Sequence, residues 1–327
     1  MPRHERIAVI VNPVAGGGRT GRRWPQLHET MKEVLDDFTV FHTKYRGHAT
    51  VLTKQALRSG YTRIVSVGGD GTHHEILNGF FDDYLPINPA ASLAIVPQGT
   101  GSDLARTLGI YKSRDAIELI RHGKSMRVDI GRVTFTREDG ERGVRYFINI
   151  ADFGIGGAIV KRIEGSKRRF GTKVAYLWAL LRTLATYKVQ HMTVQVDGEV
   201  FEDEFLDVIV ANGQYYGGGI RVAREAELDS GHFEVICVPR VSFWEALPNL
   251  LKLYDGSFVE NPRWARTFKG TRIVAQSRDE VLVDLDGEGP GTLPAGIELL
   301  PAALKLVIGV VDTEADEEED AVTPAAS

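Results

Sequence analysis

"VSVGGDGTHHEILNGF", Val65 to Phe80, runs from an apolar strand-like stretch through a glycine turn into a helical pattern, with Asp70 in the middle of the turn. Turns of this kind cradle phosphate, because the free N–H groups and dipole of the helix start favour an anion. A carboxylate there needs a reason: beside a phosphate it costs on the order of 4 kcal/mol at 4 Å and an effective dielectric near 20. A cation between the two removes that cost, and a hydrated Mg²⁺ held by carboxylates and nucleotide phosphates is the expected one. Thr72 and Glu75 read T-x-x-E, a capping box, which predicts a helix from Thr72 to Phe81.

Two further glycine turns come after strand-like runs. "IAVIVNPVAGGGRTG" places Gly16, Gly18 and Gly21 in GxGxxG spacing. A dinucleotide-binding turn has this form, and Asp36 could serve as its distal acid. A P-loop is excluded, since Arg22 and Arg23 stand where Lys and Ser or Thr would be. What remains is a backbone cradle with Arg19 and Arg22 near to meet negative charge. The third turn, "AIVPQGTGSDLAR", puts Ser102 and Asp103 at a helix start with Arg106 three residues on. Taken alone, Asp103 reads as a helix-start acid favoured by the dipole.

Around these turns the chain alternates strands (7–11, 38–42, 63–67, 92–96) with helices near 24–35, 49–58, 72–81 and 103–108, the pattern of a parallel α/β layer. Past Val128 the texture becomes period-two alternation with Asp-Gly turns, as in "MTVQVDGEVFEDEF", "HFEVICVP" and "DEVLVDLDGEG". The expected fold is therefore α/β plus β: a Rossmann-like α/β domain over 1–128 and a mainly antiparallel β-sandwich domain over 129–300, meeting near Arg127. Residues 301–311 are a candidate for a segment returning to the first domain. One amphipathic helix is expected in the second, with Val174, Leu177, Trp178, Leu181, Leu184 and Ala185 on its apolar face.

The chain has 327 residues and a net charge of −5, and the seven acids of "DTEADEEEDAVTPAAS" (312–327) leave the rest at +2. That tail reads as a disordered, solvating end. No nucleic-acid partner is expected. The one cysteine, Cys237, cannot form an internal disulfide, which makes a reducing, cytoplasmic setting the default. The apolar run near the N-terminus is too short for a signal peptide, and no stretch is long enough to span a bilayer.

"NPVAGGG", "GGDGTHHEILNG", "PQGTGSDLAR" and "VDIG", in that order, resemble the diacylglycerol kinase catalytic family, which includes bacterial soluble lipid kinases and sphingosine and ceramide kinases. "GGGIRVAREAELDSG" and "VDLDGEGPGTLP" are similar to that family's second-domain motifs. The resemblance implies a lipid kinase using ATP and Mg²⁺, with diacylglycerol as the acceptor at a membrane surface and a homodimer left open. Its nucleotide contacts fall on Asn12, Pro13, Val14, Ala15 and Gly16, on Thr43, on Gly69, Asp70, Gly71, Thr72, His73, His74 and Glu75, and on Thr100, with Asp103 and Arg106 beside them. Asp70 would place the magnesium nucleotide and Glu288 would be the catalytic base. A structural metal would use Val222, Glu225 and Glu227. The chain departs from the family pattern at His74 and Ser102, where Asn is usual, and at Arg224-Glu225-Ala226, where Pro-Asp-Ala is usual. A zinc site on His73 and His74 is not expected, because adjacent helix residues point apart.

The acceptor is less determined by sequence. Lys161, Arg162, Lys167, Arg168, Arg169 and Lys173 form a basic run ahead of the amphipathic helix, fit for anionic headgroups. A kinase of a soluble acceptor such as NAD, or a non-catalytic nucleotide-binding protein, is the alternative. Asp-Gly-Glu occurs at 139–141, 197–199 and 286–288; the first two read as two-residue hairpin turns, whereas "GPGTLP" after the third argues against a hairpin there.

Overall fold

The computed structural model describes residues 5–35, 37–99, 101–165, 172–241, 243–246 and 251–309. Asp36, Thr100, Lys167, Arg168, Arg169 and the acidic tail lie outside the described residues, as do the side chains of Lys173, Val174, Leu177 and Trp178.

The first part alternates strand and helix: β1 (Ile7–Val11), α1 (Ala15–Val34), β2 (Thr39–His42), α2 (His48–Arg58), β3 (Arg63–Gly68), α3 (Asp70–Phe80), the short ribbon β4 (Phe81–Asp82) and β5 (Leu85–Pro86), β6 (Ser92–Pro97), α4 (Asp103–Thr107) and α5 (Ser113–His122). Strands β2, β1, β3 and β6 lie side by side and parallel. The all-apolar run of β1 is buried throughout, as a strand covered on both faces requires.

The second part continues as β7 (Lys124–Thr136), β8 (Arg142–Phe147), β9 (Ile150–Gly154), α6 (Ile155–Gly165), α7 (Thr172–Thr186), β10 (Gln190–Val196), β11 (Glu199–Ala211), β12 (Tyr215–Tyr216), β13 (Ile220–Arg221), β14 (Phe233–Pro239), α8 (Phe243–Ala246), α9 (Leu251–Asp255), β15 (Arg266–Gly270), β16 (Arg272–Ser277), β17 (Leu282–Leu285) and β18 (Glu288–Ile308). Its pairings are antiparallel.

Two long strands, β7 and β18, join the parts. Along β7, Val128 and Ile130 enter the first core while Val133 and Phe135 enter the second; along β18, Ile297 and Leu299 enter the second and Leu304 and Leu306 the first. Lys305 and Leu306 lie parallel beside Ser92 and Leu93 of β6. Between the two cores β18 slips register, with Ala302 at φ 49°. Asp129 fixes that bend: its carboxylate accepts from Ala302 N and Gly231 N, each at 2.7 Å. The extra residue of a bulge bends its strand and re-aims the side chains beyond it.

Several local expectations are corrected. Helix α3 starts at Asp70, with Gly69 at its N-cap and no side-chain cap. The capping box does not form, because both its members are used elsewhere: Thr72 Oγ1 accepts from Asn12 Nδ2 at 3.0 Å, and the Glu75 carboxylate accepts from Gly47 N and Ala49 N at the start of α2. On α7 the buried side among the described side chains takes in residues outside the expected apolar face, with Leu184 packed beside them. Ala179, Leu180 and Thr183 are buried, while Ala185 is exposed, because α7 packs on α6 from that side. The 139–141 copy is no two-residue turn: Arg137 and Glu141 still pair, leaving 138–140 as a three-residue tip. The third copy is a tight hairpin after all. Leu285 pairs with Glu288, and Asp286 and Gly287 take φ of 52° and 88°, as a type I′ turn demands. "GPGTLP" continues inside β18.

Candidate active site

The three glycine turns meet at the carboxyl ends of β1, β3 and β6, and they meet backbone to backbone. A Cβ on Gly99 would lie 2.7 Å from Gly69 Cα, and one on Gly69 would lie 3.1 Å from Gly99 Cα. Only glycine permits that approach. Gly16, Gly17 and Gly18 all have left-handed φ (60°, 68°, 80°), so the regular part of α1 begins after them. Successive amides in such a run form an anion-binding concavity. Arg19 does not point into it; its guanidinium donates to the carbonyls of Gln98 (3.0 Å) and Gly99 (2.6 Å), tying the first turn to the third.

Asp70 lies where the turns converge. Ser102 N donates to Oδ2 at 2.7 Å and Asp103 N to Oδ1 at 3.0 Å, so the carboxylate caps the start of α4. Asp103 is held in turn by Arg106 (2.9 Å) and by Gly218 N (2.8 Å), which brings the second part's "GGGI" loop onto the third turn. Burial first, and then Asp103, push Asp70 up to about 7; burial raises Asp103 too, against the pull of Gly218 N and Arg106. The point where a Cβ on Gly101 would lie is 2.8 Å from Asp70 Oδ2 and 3.5 Å from Asp103 Oδ2. Two carboxylates crowding one small gap, both disfavoured as anions, are a donor set that fits a divalent cation.

Glu288 arrives from the β17–β18 hairpin. Its Oε1 is 2.6 Å from where a Cβ on Gly71 would stand, over the first turn of α3, and its Oε2 pairs with Arg46. The hairpin is aimed by Asp286. That carboxylate accepts from Ile148 N (3.1 Å), Asn149 N (3.0 Å) and Ile150 N (3.0 Å), and meets His74 Nδ1 at 3.3 Å. Asn78 on α3 mirrors this from below, exchanging hydrogen bonds with the Tyr146 backbone. Sequence alone does not single out Asp286, Asn78 or Arg46; only the repetition of Asp-Gly-Glu hints at the first.

The other expected residues divide. Asn12 and Thr72 are joined at the mouth, Val14 is exposed there, and Thr43 N donates back to Val11 O. His73 and His74 turn inward: His73 Nδ1 meets Ser66 Oγ at 2.6 Å, and burial drops its pKa to about 4, so it is a neutral core group. Glu75 serves α2 instead of the nucleotide turn. Val222 is buried, whereas Glu225 and Glu227 are exposed. Among the described residues no group of three or more His, Cys, Asp or Glu is placed to hold a metal. Of the basic run, Arg162 donates to Thr183 at 3.0 Å, and Lys161 lies 3.9 Å from Glu280. No helix among the described residues is long and apolar enough to cross a membrane.

Residues 6–133 match the model of the diacylglycerol kinase catalytic domain, and residues 149–308 match that of the YegS C-terminal NAD kinase beta sandwich-like domain. The chain is 27% identical to a diacylglycerol kinase of Staphylococcus carnosus, over 89% of this chain and 91% of that one. It is 25% identical to the Bacillus subtilis diacylglycerol kinase, over 89% and 92%. A diacylglycerol kinase structure from Bacillus anthracis superposes with a TM-score of 0.68 at 25% identity, covering 94% of this chain and 98% of that one. With both halves matched in order, an α/β catalytic domain and then a β-sandwich-like one, this chain belongs to the diacylglycerol kinase catalytic family of ATP-using lipid kinases.

Proposed function

We propose that the chain transfers the γ-phosphoryl group of ATP to the free hydroxyl of diacylglycerol, giving phosphatidic acid, as a peripheral enzyme at a membrane surface. The observation that carries this reading is the placement of Glu288 over the glycine turn, beside Gly71, the residue after Asp70. The working division is a nucleotide unit over 1–128 with 301–311, and an acceptor unit over 129–300.

Phosphoryl transfer needs the phosphates held, their charge offset and the attacking hydroxyl oriented. The amides of 16–18 and of the Gly69–Gly71 turn hold the phosphates. Asp70 and Asp103 would hold Mg²⁺, which when bound offsets phosphate charge. Glu288 receives the hydroxyl proton; Arg46, its ion-pair partner, keeps the carboxylate in place until the acceptor arrives. The basic residues of 167–169 bring the enzyme to anionic lipid.

The test is labelled ATP with diacylglycerol, sphingosine, ceramide or NAD and product identification, on the wild-type chain and on Asp70→Asn. Phosphatidic acid as the main product, lost by orders of magnitude in Asp70→Asn with the fold retained, is the expected result. A phosphorylated NAD, or full activity of the variant at saturating Mg²⁺, overturns it.

A further inference from the structure

Helix α3 carries Asp70, His74 and Asn78 at intervals of four residues, so the three lie on one stripe of its surface. Each grips a different piece of the molecule. Asp70 holds the start of α4, and Asn78 exchanges hydrogen bonds with the Tyr146 backbone in β8. Between them His74 meets Asp286, in the hairpin that carries Glu288. That contact is buried: the His74 and Asp286 side chains are 8% and 6% exposed.

Its direction follows from the groups around it. Asp286 already accepts from the amides of Ile148, Asn149 and Ile150, so towards His74 it is an acceptor as well, and Nδ1 carries the proton. Nε2 is then the ring's acceptor, and Asn78 Nδ2 stands 3.2 Å from it as donor. The three amides belong to the second part, like the hairpin itself, and tie Asp286 to its own side of the molecule. His74 reaches it from the first.

Glu288 has another tether to the first part, its ion pair with Arg46, but Arg46 is 68% exposed. Exposed pairs hold weakly, and this one has to release the carboxylate as a hydroxyl takes its place. The buried bond has no such duty. His74 lies one helical turn past Gly71, over which Glu288 stands, and Asp286 lies two residues before Glu288. A bond between His74 and Asp286 therefore fixes the spacing between the nucleotide turn and the carboxylate. A misplacement of about 1 Å at such a site can cost on the order of 10²-fold in rate.

Resting on the lipid-kinase reading, we infer that His74 is a positioning residue for the transfer: its Nδ1–H, acting through Asp286, holds the Glu288 hairpin at working distance from the nucleotide turn.

The test uses the full chain with labelled ATP and dioleoylglycerol vesicles, for the wild type, His74→Asn, His74→Gln and His74→Leu. An Asn amide nitrogen falls where Nδ1 is, and a Gln amide nitrogen falls where Nε2 is. His74→Asn is expected to keep kcat within about threefold of the wild type, while His74→Gln and His74→Leu lose about 10–10²-fold. KM for ATP and KM for lipid should stay unchanged in all three. Amide hydrogen exchange over 282–290 should quicken in His74→Gln and His74→Leu but not in His74→Asn. Full kcat in His74→Leu, equal losses in His74→Asn and His74→Leu, or a loss that lies in ATP affinity overturns the inference. If His74→Leu does not fold, His74→Asn against His74→Gln decides by the same readings. A wild type that phosphorylates no lipid sinks the lipid-kinase reading instead, and hydrogen exchange then judges the His74 link by itself.

Discussion

The molecule uses the same local device twice and to opposite ends. In both β3–α3 and β9–α6 a buried strand ends on glycine, a helix starts at once, and acidic side chains gather near the helix's first turn. At β3–α3 the carboxylate, Asp70, is held by backbone amides of the neighbouring turn and stays at the mouth. At β9–α6 the carboxyls of Asp152 on β9, Asp207 on β11 and Asp284 on β17 lie under the helix, buried, and Asp152 Oδ2, Asp207 Oδ1 and Asp284 Oδ1 have no hydrogen-bond donor among the described residues. The contrast shows that a helix N-terminus does not define a phosphate site. The phosphate site proposed above draws on three turns brought together; a turn covered by another helix becomes interior polar structure instead.

The sharpest way to break the comparison is at Glu288, the one carboxylate delivered to the open turn from outside it. Glu288→Gln should lower turnover by about 10²–10⁴-fold, the usual worth of a general base, with ATP affinity retained in a binding titration. Glu141→Gln and Glu199→Gln, at the two other hairpins, should stay within a few fold. Equal losses at all three would remove Glu288 from its role.

Next in size are the glycines. Gly99→Ala places a Cβ 2.7 Å from Gly69 Cα, so the backbones must part; a loss of about 1–3 kcal/mol in unfolding free energy is expected, together with weaker ATP binding. Gly156→Ala sets its Cβ 2.3 Å from Asp152 Oδ2. It should cost a comparable amount by thermal melting but leave ATP affinity alone. If it weakens ATP as well, the two turns are coupled and the contrast fails.

The pH dependences are the subtlest to resolve, and they have opposite signs. His73, neutral in the core with its pKa dropped to about 4, makes the folded state lose stability as pH falls from about 6.5 towards 4, because only the unfolded chain takes up the proton, by up to about 3 kcal/mol. The three buried aspartates do the reverse. Their folded pKa values are raised, so above about 4 the unfolded chain releases protons that the folded one keeps, and stability falls as pH rises. His73→Asn should flatten the acid limb of a stability–pH curve and Asp152→Asn the alkaline limb. Denaturant melts across the pH range check both, and an alkaline limb unchanged in Asp152→Asn would show that burial is incomplete.

Local pattern determined a good deal. Apolar runs placed β1, β2, β3 and β6 to within a residue, because burial of a strand writes itself directly into spacing. The three glycine turns, with Asp70 inside the second, were legible because a close backbone approach leaves glycine as its only solution; Glu288 was reached through the family resemblance alone. What spacing could not decide was the partner of each polar group. Glu75 and Thr72 had the form of a capping box and went instead to α2 and Asn12; His73 and His74 had the form of site residues and went to Ser66 and Asp286. Asp286, Asn78 and the buried aspartates gained their surroundings from strands and helices far along the chain. Hydrogen-bond partners are settled by which elements pack together, since a polar group follows whichever burial leaves it satisfied, and that choice belongs to the tertiary structure alone.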